Sequence, residues 1–232
     1  MRTGCFVYLM RMPDYLPDTP LSSRIRAEEV ESARNMHRKR ELYFGWRLLE
    51  YGAYDAFGVR LCETDGERTK NGAVMLPGIF GSVTHSGDIL GAALCAEPVG
   101  IDIERFSRGA AVIRTAKRIL TEKEKSAAPD PENEQAYRDY LIRCWCGKES
   151  LFKRTGGAFF DPLAFDTVNE VSRLFSHSLT AGEERAQLCV CPGEEAGPLA
   201  LRALFWEKES AEGKNTDISG NIHSFLGRPF VL

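Results

Sequence analysis

The chain has 232 residues, of which 43% are hydrophobic and 27% charged, so it can bury a sizeable core and has an ordinary globular composition. Its formal net charge of -3 excludes the overall basic surface of a nucleic-acid binder, and any anion site must be local. The seven cysteines lack zinc-site spacing and are expected to be reduced thiols. The apolar run at residues 1–10 is too short for a signal peptide or membrane span, so we expect a cytoplasmic protein that does not bind membrane. We also expect a monomer that does not bind nucleic acid.

The first elements in chain order are a buried strand at residues 4–10 and one long helix at about 24–51. Prolines at positions 13, 17 and 20 separate them. The helix carries a basic stretch that includes Arg34 and Arg40. This stretch has two interpretations, a solvated helix face or a surface that contacts phosphate.

Short strand patterns follow at residues 79–85, 89–95 and 99–104, and their turns suggest an antiparallel meander. Further elements are predicted by helical periodicity, capping residues and β-like runs. They are helices at about 110–120, 122–128 and 133–155, strands near 164–171, 186–191 and 199–206, and a flexible loop at 207–221. The order of strand, helix and strands occurs roughly twice, so two similar α+β halves are possible.

Two acids share the segment Gly-Ile-Asp-Ile-Glu at residues 100–104. The period of a strand places Asp102 and Glu104 on one face. Two carboxylates that close repel each other unless a cation or a proton intervenes, and oxygen ligands favour magnesium or manganese. The alternative is an edge strand with an apolar inner face and a polar outer face.

A second cluster lies on the helix predicted at 133–155. Trp145, Glu149 and Lys153 are spaced i, i+4, i+8 and fall along one stripe, with Lys148 beside it. The alternative is a solvent-exposed Glu149–Lys153 pair without a functional role.

A third cluster, at residues 82–88, ends a strand and enters a turn. Thr84, His85 and Ser86 could form a phosphate cradle together with turn amides. Alternatively the hydroxyls satisfy turn amides and His85 packs nearby. A Ser-His-Asp triad is improbable here because triad members converge from separate segments.

Together these clusters resemble the three ordered signatures of the Sfp-type 4′-phosphopantetheinyl transferases. The signatures are Val-Thr-His-Ser at 83–86, Val-Gly-Ile-Asp-Ile-Glu at 99–104 and Trp-Cys-Gly-Lys-Glu-Ser-Leu-Phe-Lys at 145–153. The resemblance covers about residues 24–170. It implies an α+β fold of two pseudo-twofold halves: residues 1–103, with cofactor phosphate contacts, and residues 104–232, with the WxxKExxxK helix.

The resemblance also implies the chemistry. The family transfers 4′-phosphopantetheine from coenzyme A to a serine of an apo acyl or peptidyl carrier protein, with Mg²⁺, and releases 3′,5′-ADP. The implied metal ligands are Asp102, Glu104 and Glu149; the implied cofactor contacts are Arg40, Thr84, His85, Ser86, Lys148 and Lys153; and Glu149 and Lys153 are the implied catalytic residues.

The chain departs from the family pattern in three places. Thr84 stands where the family usually has serine, the Gly-Lys-Pro element before the histidine motif is absent, and the lysines that bind the 3′-phosphate have no clear match. Two rival functions also fit the residues. One is a Mg²⁺-dependent phosphohydrolase that uses water as its nucleophile, and the other is a non-enzymatic module that binds coenzyme A or a carrier protein.

Overall fold

The computed structural model describes residues 4–62, 74–108, 118–157, 159–181, 184–206 and 225–226. These residues form nine strands and four α-helices. The strands are β1 (Cys5–Arg11), β2 (Val74–Leu76), β3 (Ile79–Ser86), β4 (Ile89–Cys95), β5 (Gly100–Arg105), β6 (Phe175–Ala181), β7 (Glu184–Cys191), β8 (Leu199–Trp206) and β9 (Phe225–Leu226). The helices are α1 (Arg24–Ser32), α2 (Met36–Phe57), α3 (Glu122–Ala127) and α4 (Glu134–Thr155).

The strands form two sheets, a six-stranded sheet in the order β2-β3-β4-β1-β8-β9 and a three-stranded sheet in the order β5-β7-β6. All strand pairs are antiparallel except β1 with β8. The second half of the chain thus supplies β8 and β9 to the sheet that the first half begins. A domain boundary at residues 103/104 would cut β5, and this boundary stays a prediction.

Each sheet carries one helix of 22 residues, which gives the α+β architecture expected from the sequence. One face of β1, with Tyr8 and Met10, packs in the core formed with α2. The other face, with Val7 and Leu9, packs against Ile101 and other residues of the three-stranded sheet. Because both faces of β1 are covered, its sequence is apolar at nearly every position.

Several sequence predictions are confirmed. Strands predicted at 4–10, 79–85, 89–95, 186–191 and 199–206 are present within one or two residues of their expected bounds. Thr121 and Glu124 form the expected capping box of α3, and Gly156, with φ 64°, ends α4.

Other predictions are wrong. The helix expected at 24–51 is two helices, since Asn35 caps α2 by accepting a hydrogen bond from the N–H of Arg38. The expected meander stops at β4, because β5 pairs with β7 in the other sheet. The segment 164–171 forms no strand; short 3-10 helices at Pro162–Ala164 and Val171–Arg173 flank it, and the following strand, β6, was not expected. Most of the helix predicted at 110–120 and all of the loop at 207–221 lie outside the described residues.

None of the helices in the described ranges is long and apolar enough to cross a lipid bilayer.

Helix α4 approaches β5 at Gly100. A Cβ atom there would lie 1.8 Å from the carbonyl oxygen of Ser150 and 2.6 Å from the backbone nitrogen of Arg154. No side chain fits in this space without moving the helix, so glycine permits the contact.

We predict that Gly100→Ala lowers the free energy of unfolding by about 3 kcal/mol or more, because the methyl group meets backbone that cannot rotate away. Gly45→Ala is the matched control. Its Cβ would meet only the flexible Val83 side chain, at 3.1 Å, and the cost should stay within about 1 kcal/mol. Urea denaturation of the three proteins measures the difference, and equal stability of both variants would contradict the close contact.

Candidate functional site

The free edge of β5 lies against the face of β3, and side-chain hydroxyls of β3 hold it there. Ser82, Thr84 and Ser86 occupy alternate positions and therefore share one face of their strand. Their hydroxyl oxygens accept the backbone N–H groups of Ile101 (3.3 Å), Ile103 (3.1 Å) and Arg105 (3.1 Å), in that order. We call these three bonds the hydroxyl ladder.

The same hydroxyls reach the two acids of β5. Thr84 Oγ1 donates to Asp102 Oδ1 at 2.9 Å, and Ser86 Oγ donates to Glu104 Oε2 at 3.0 Å. Both hydroxyls are buried, and each uses its single donor hydrogen in these contacts. The expectation that Thr84 and Ser86 themselves bind phosphate does not match this arrangement, in which they orient the acid strand.

Helix α4 brings Lys153 to Asp102. The amine of Lys153 lies 2.7 Å from Asp102 Oδ1 and donates to the carbonyl oxygen of Ile101 at 3.1 Å. The alternative of an exposed Glu149–Lys153 surface pair therefore does not describe this lysine. The second oxygen of Asp102, Oδ2, is buried and has no hydrogen-bond partner among the described residues.

Glu149 lies one helical turn before Lys153 and faces the same acids. Burial raises the pKa of Glu149, the nearby Lys153 opposes this rise, and the negative charges of Asp102 and Glu104 add to it. The three carboxylates are thus close enough to repel one another. Within the described part of the chain, no group of three or more His, Cys, Asp or Glu side chains is arranged to hold a metal ion by itself.

Lys148 points away from this cluster into the interior. Its side chain is 0% exposed and its amine lies 2.8 Å from Glu124 Oε2 on α3, which is also 0% exposed. The amine also donates to the carbonyl oxygens of Pro162 and Phe165. An amine enclosed by these partners has no face left for a pyrophosphate, so the structure gives Lys148 a role in tying α3 and the 162–165 segment to α4.

His85 lies between Thr84 and Ser86 but faces the opposite side of β3, toward α2. Its Nδ1 is 3.0 Å from Glu41 Oε1, and its Nε2 is 3.5 Å from the guanidinium of Arg38. Burial lowers the pKa of His85, and Arg38 and Lys153 add to this effect while Glu41 opposes it. Sequence reasoning missed Glu41, although its i,i+4 and i,i+3 spacing to His37 and Arg38 was a readable signal.

A cleft of about 510 Å³ opens beside His85, where α1 ends and α2 begins. It is lined by Glu29, Ser32, Ala33, Arg34, Asn35, His37, Arg38, Glu41 and Leu42. The predicted contact residue Arg40 does not line it. Its guanidinium donates to the carbonyl oxygen of Pro13 at 3.0 Å and lies 3.4 Å from His37 Nδ1.

We predict that Thr84→Val lowers the free energy of unfolding by about 2–3 kcal/mol, because it leaves the buried Ile103 N–H without its acceptor and removes a hydrogen bond to Asp102. Thr84→Ser keeps the hydroxyl and should stay within about 1 kcal/mol of the parent. Thr180→Val, at an exposed position of β6, controls for the loss of a threonine hydroxyl. Denaturant unfolding of all three variants checks the order, and equal effects at Thr84 and Thr180 would contradict a structural hydroxyl ladder.

Comparison with known proteins gives two matches. The family model described as the 4′-phosphopantetheinyl transferase superfamily matches residues 98–201, which include β5 and α4. A Bacillus subtilis protein named 4′-phosphopantetheinyl transferase is 28% identical over 165 residues, which cover 68% of this chain and 71% of that protein. Over these segments the chain is therefore similar to proteins of the 4′-phosphopantetheinyl transferase superfamily.

Proposed function

We propose that this chain is an Sfp-type enzyme with holo-[acyl-carrier-protein] synthase activity. It transfers 4′-phosphopantetheine from coenzyme A to a serine of an apo acyl or peptidyl carrier protein and releases 3′,5′-ADP in a Mg²⁺-dependent reaction. The observation that supports this most is the cluster of Asp102, Glu104, Glu149 and Lys153, drawn from two elements of the chain that contact each other. A cytoplasmic location belongs to the proposal, and all seven cysteines are free thiols in the structure.

The residues present fit a magnesium ion. Asp102 Oδ2 is a buried carboxylate oxygen without a partner among the described residues, and Glu149 and Glu104 add further oxygen donors. Magnesium usually takes one or two protein carboxylates and completes its shell with waters and substrate phosphates, so a preformed protein cage is not required. When bound, the ion would withdraw charge from the pyrophosphate oxygens.

The proposed reaction is an in-line displacement at the pantetheine-side phosphorus. The carrier serine oxygen forms a bond to that phosphorus, the bond from the same phosphorus to the bridging oxygen breaks, and 3′,5′-ADP leaves. A carboxylate oxygen of Glu149 accepts the serine proton. Lys153 has its amine at the acid strand and would stabilise charge that develops on the phosphates, so positioning and electrostatics supply most of the rate.

The nucleotide end of coenzyme A is proposed to occupy the cleft beside His85. The cleft volume is in the usual range for small-molecule sites, and Arg34 and Arg38 supply positive charge to its wall. An arriving phosphate would favour the protonated form of His85, because the anion offsets the cost of burying the charge. Arg40 stays a predicted contact through its position beside His37, whereas Lys148 is left out of the proposed contacts.

The test of the function is to incubate the protein with coenzyme A, Mg²⁺ and a panel of apo carrier proteins, and then to weigh the carriers. We expect one or more carriers to gain the mass of phosphopantetheine, only when both Mg²⁺ and coenzyme A are present. Release of free phosphopantetheine without carrier modification would favour the phosphohydrolase. Tight binding of coenzyme A without any metal-dependent turnover would favour the binding module.

We predict that Asp102→Asn and Glu149→Gln each reduce transfer at least roughly 100-fold at saturating coenzyme A. The double variant should lose little more than the worse single variant, because residues that act as a unit are strongly non-additive. Glu134→Gln, an exposed acid on the same helix, is the control and should keep full activity. Independent losses that multiply would contradict a shared site.

The two acid variants should differ in stability. Glu149→Gln removes a carboxylate whose charge is disfavoured by burial and by two neighbouring acids, so this variant should melt no lower than the parent. Asp102→Asn breaks the ion pair with Lys153 and should melt lower. Differential scanning calorimetry in metal-free buffer compares them.

We predict that His85→Ala weakens coenzyme A binding roughly tenfold to a hundredfold, because a charge-assisted hydrogen bond to phosphate is lost. His177→Ala is the matched control, since His177 lies on β6 at the far edge of the three-stranded sheet. Isothermal titration calorimetry of the folded variants measures both affinities. Unchanged affinity in His85→Ala would remove His85 from the cofactor site.

A further inference from the structure

Two thiols lie side by side on neighbouring strands of the six-stranded sheet. Cys5 on β1 and Cys95 on β4 are direct partners in the antiparallel register. Both are 0% exposed and belong to the core between the two sheets, so their side chains lie on the same face. Cys191, at the end of β7, lies close to Cys5.

The backbone of Cys5 shows which kind of strand pair this is. Its N–H donates to the carbonyl oxygen of Pro198 at 3.1 Å, immediately before β8. The N–H and C=O of a strand residue point to the same side, so Cys5 is hydrogen-bonded toward β8 and not toward β4. Cys5 and Cys95 therefore form a non-hydrogen-bonded pair, in which the Cα atoms are about 4.5 Å apart. A disulfide bridges Cα separations of about 4.4–6.8 Å, so the bond fits without moving either strand far.

The surroundings of Cys95 favour its thiolate. A hydrogen bond from the thiol of Cys5 lowers the pKa of Cys95, and the backbone N–H groups of Glu97 and Gly193 add to this effect, while burial and the Glu97 carboxylate oppose it. Cys146 is a contrasting case. Its thiol donates to the carbonyl oxygens of Asp102 and Gln187, and burial raises its pKa well above the ordinary value.

We propose that Cys5 and Cys95 are a redox pair that forms a reversible disulfide when the protein meets a small peroxide. The Cys95 thiolate attacks one peroxide oxygen, the O–O bond breaks, and Cys95 becomes a sulfenic acid while one water leaves after protonation. The Cys5 sulfur then attacks the Cys95 sulfur and displaces the hydroxyl as a second water. Two electrons pass from the thiols to the peroxide, and a dithiol reductant reverses the step.

The rate of oxidation is expected to depend on how readily peroxide reaches the buried Cys5–Cys95 pair. Cys5 begins β1 and Cys95 ends β4, so a local opening of these strand ends admits a molecule of about the size of water. Oxidation should therefore be slower than at Cys62, which is exposed. The disulfide would join β1 to β4 and close a long loop of chain, which restricts the unfolded state.

The experiment treats the folded Cys62→Ser protein with hydrogen peroxide, then unfolds it in urea with an alkylating reagent and maps the peptides by mass spectrometry. We expect a linked Cys5–Cys95 peptide, an intact mass lower by two hydrogen atoms, and full reversal by dithiothreitol. The oxidised protein should melt roughly 5–10 °C higher than the reduced protein. In Cys5→Ser, the reaction should stop at a Cys95 sulfenic acid that dimedone traps.

In the wild-type protein, Cys62 should oxidise before the buried pair. Its oxidation therefore shows that the peroxide dose is sufficient. Recovery of both Cys5 and Cys95 as alkylated thiols, at a peroxide dose that fully oxidises Cys62, would overturn the proposal. A predominant link from Cys5 to Cys191 would do so as well. All outcomes are read without coenzyme A or a carrier protein, so the result is independent of the proposed transfer activity.

Discussion

An edge strand must satisfy its outward N–H groups, and the hydroxyl ladder is how this protein does so. β5 is the edge of the three-stranded sheet, and Ser82, Thr84 and Ser86 supply acceptors where a further strand would otherwise pair. Because the same hydroxyls bond to Asp102 and Glu104, one set of contacts joins the two sheets and orients both acids. These hydrogen bonds fix how β5 is aligned with β3, so they also fix the position of the two acids relative to His85 on β3.

Periodicity and capping predicted much of the fold. Two-residue alternation identified β5 and the shared face of Asp102 and Glu104, and the Thr121/Glu124 pair marked the start of α3. The break between α1 and α2 was missed because Asn35 had to be recognised as a cap inside an otherwise helical pattern. The pairing of β5 with β7 could not be predicted from the local sequence, because tertiary contacts decide which strands pair.

The candidate site was predictable in its residues and less so in their roles. Motif spacing identified Glu149 and Lys153 as site residues. The sequence alone does not show whether a given lysine lies on the buried or the exposed face of its helix. Lys148 lies in the interior because Glu124 and the carbonyl oxygens of Pro162 and Phe165 surround its charged amine. These partners come from distant segments, so the local sequence did not reveal them. In the same way, the pattern Thr-His-Ser identified donors but not the carboxylates that Thr84 and Ser86 would meet.

The central position of β1 has a consequence for how the chain is made. β1 comes first in sequence among the described strands, yet in the finished sheet it lies between β4 and β8, with Cys5 opposite both Cys95 and Leu199. Its parallel partner, β8, is therefore synthesised only after β2 to β7. Until then one side of an apolar strand stays unpaired. Such long-range pairing slows folding, and an apolar strand that waits unpaired favours aggregation.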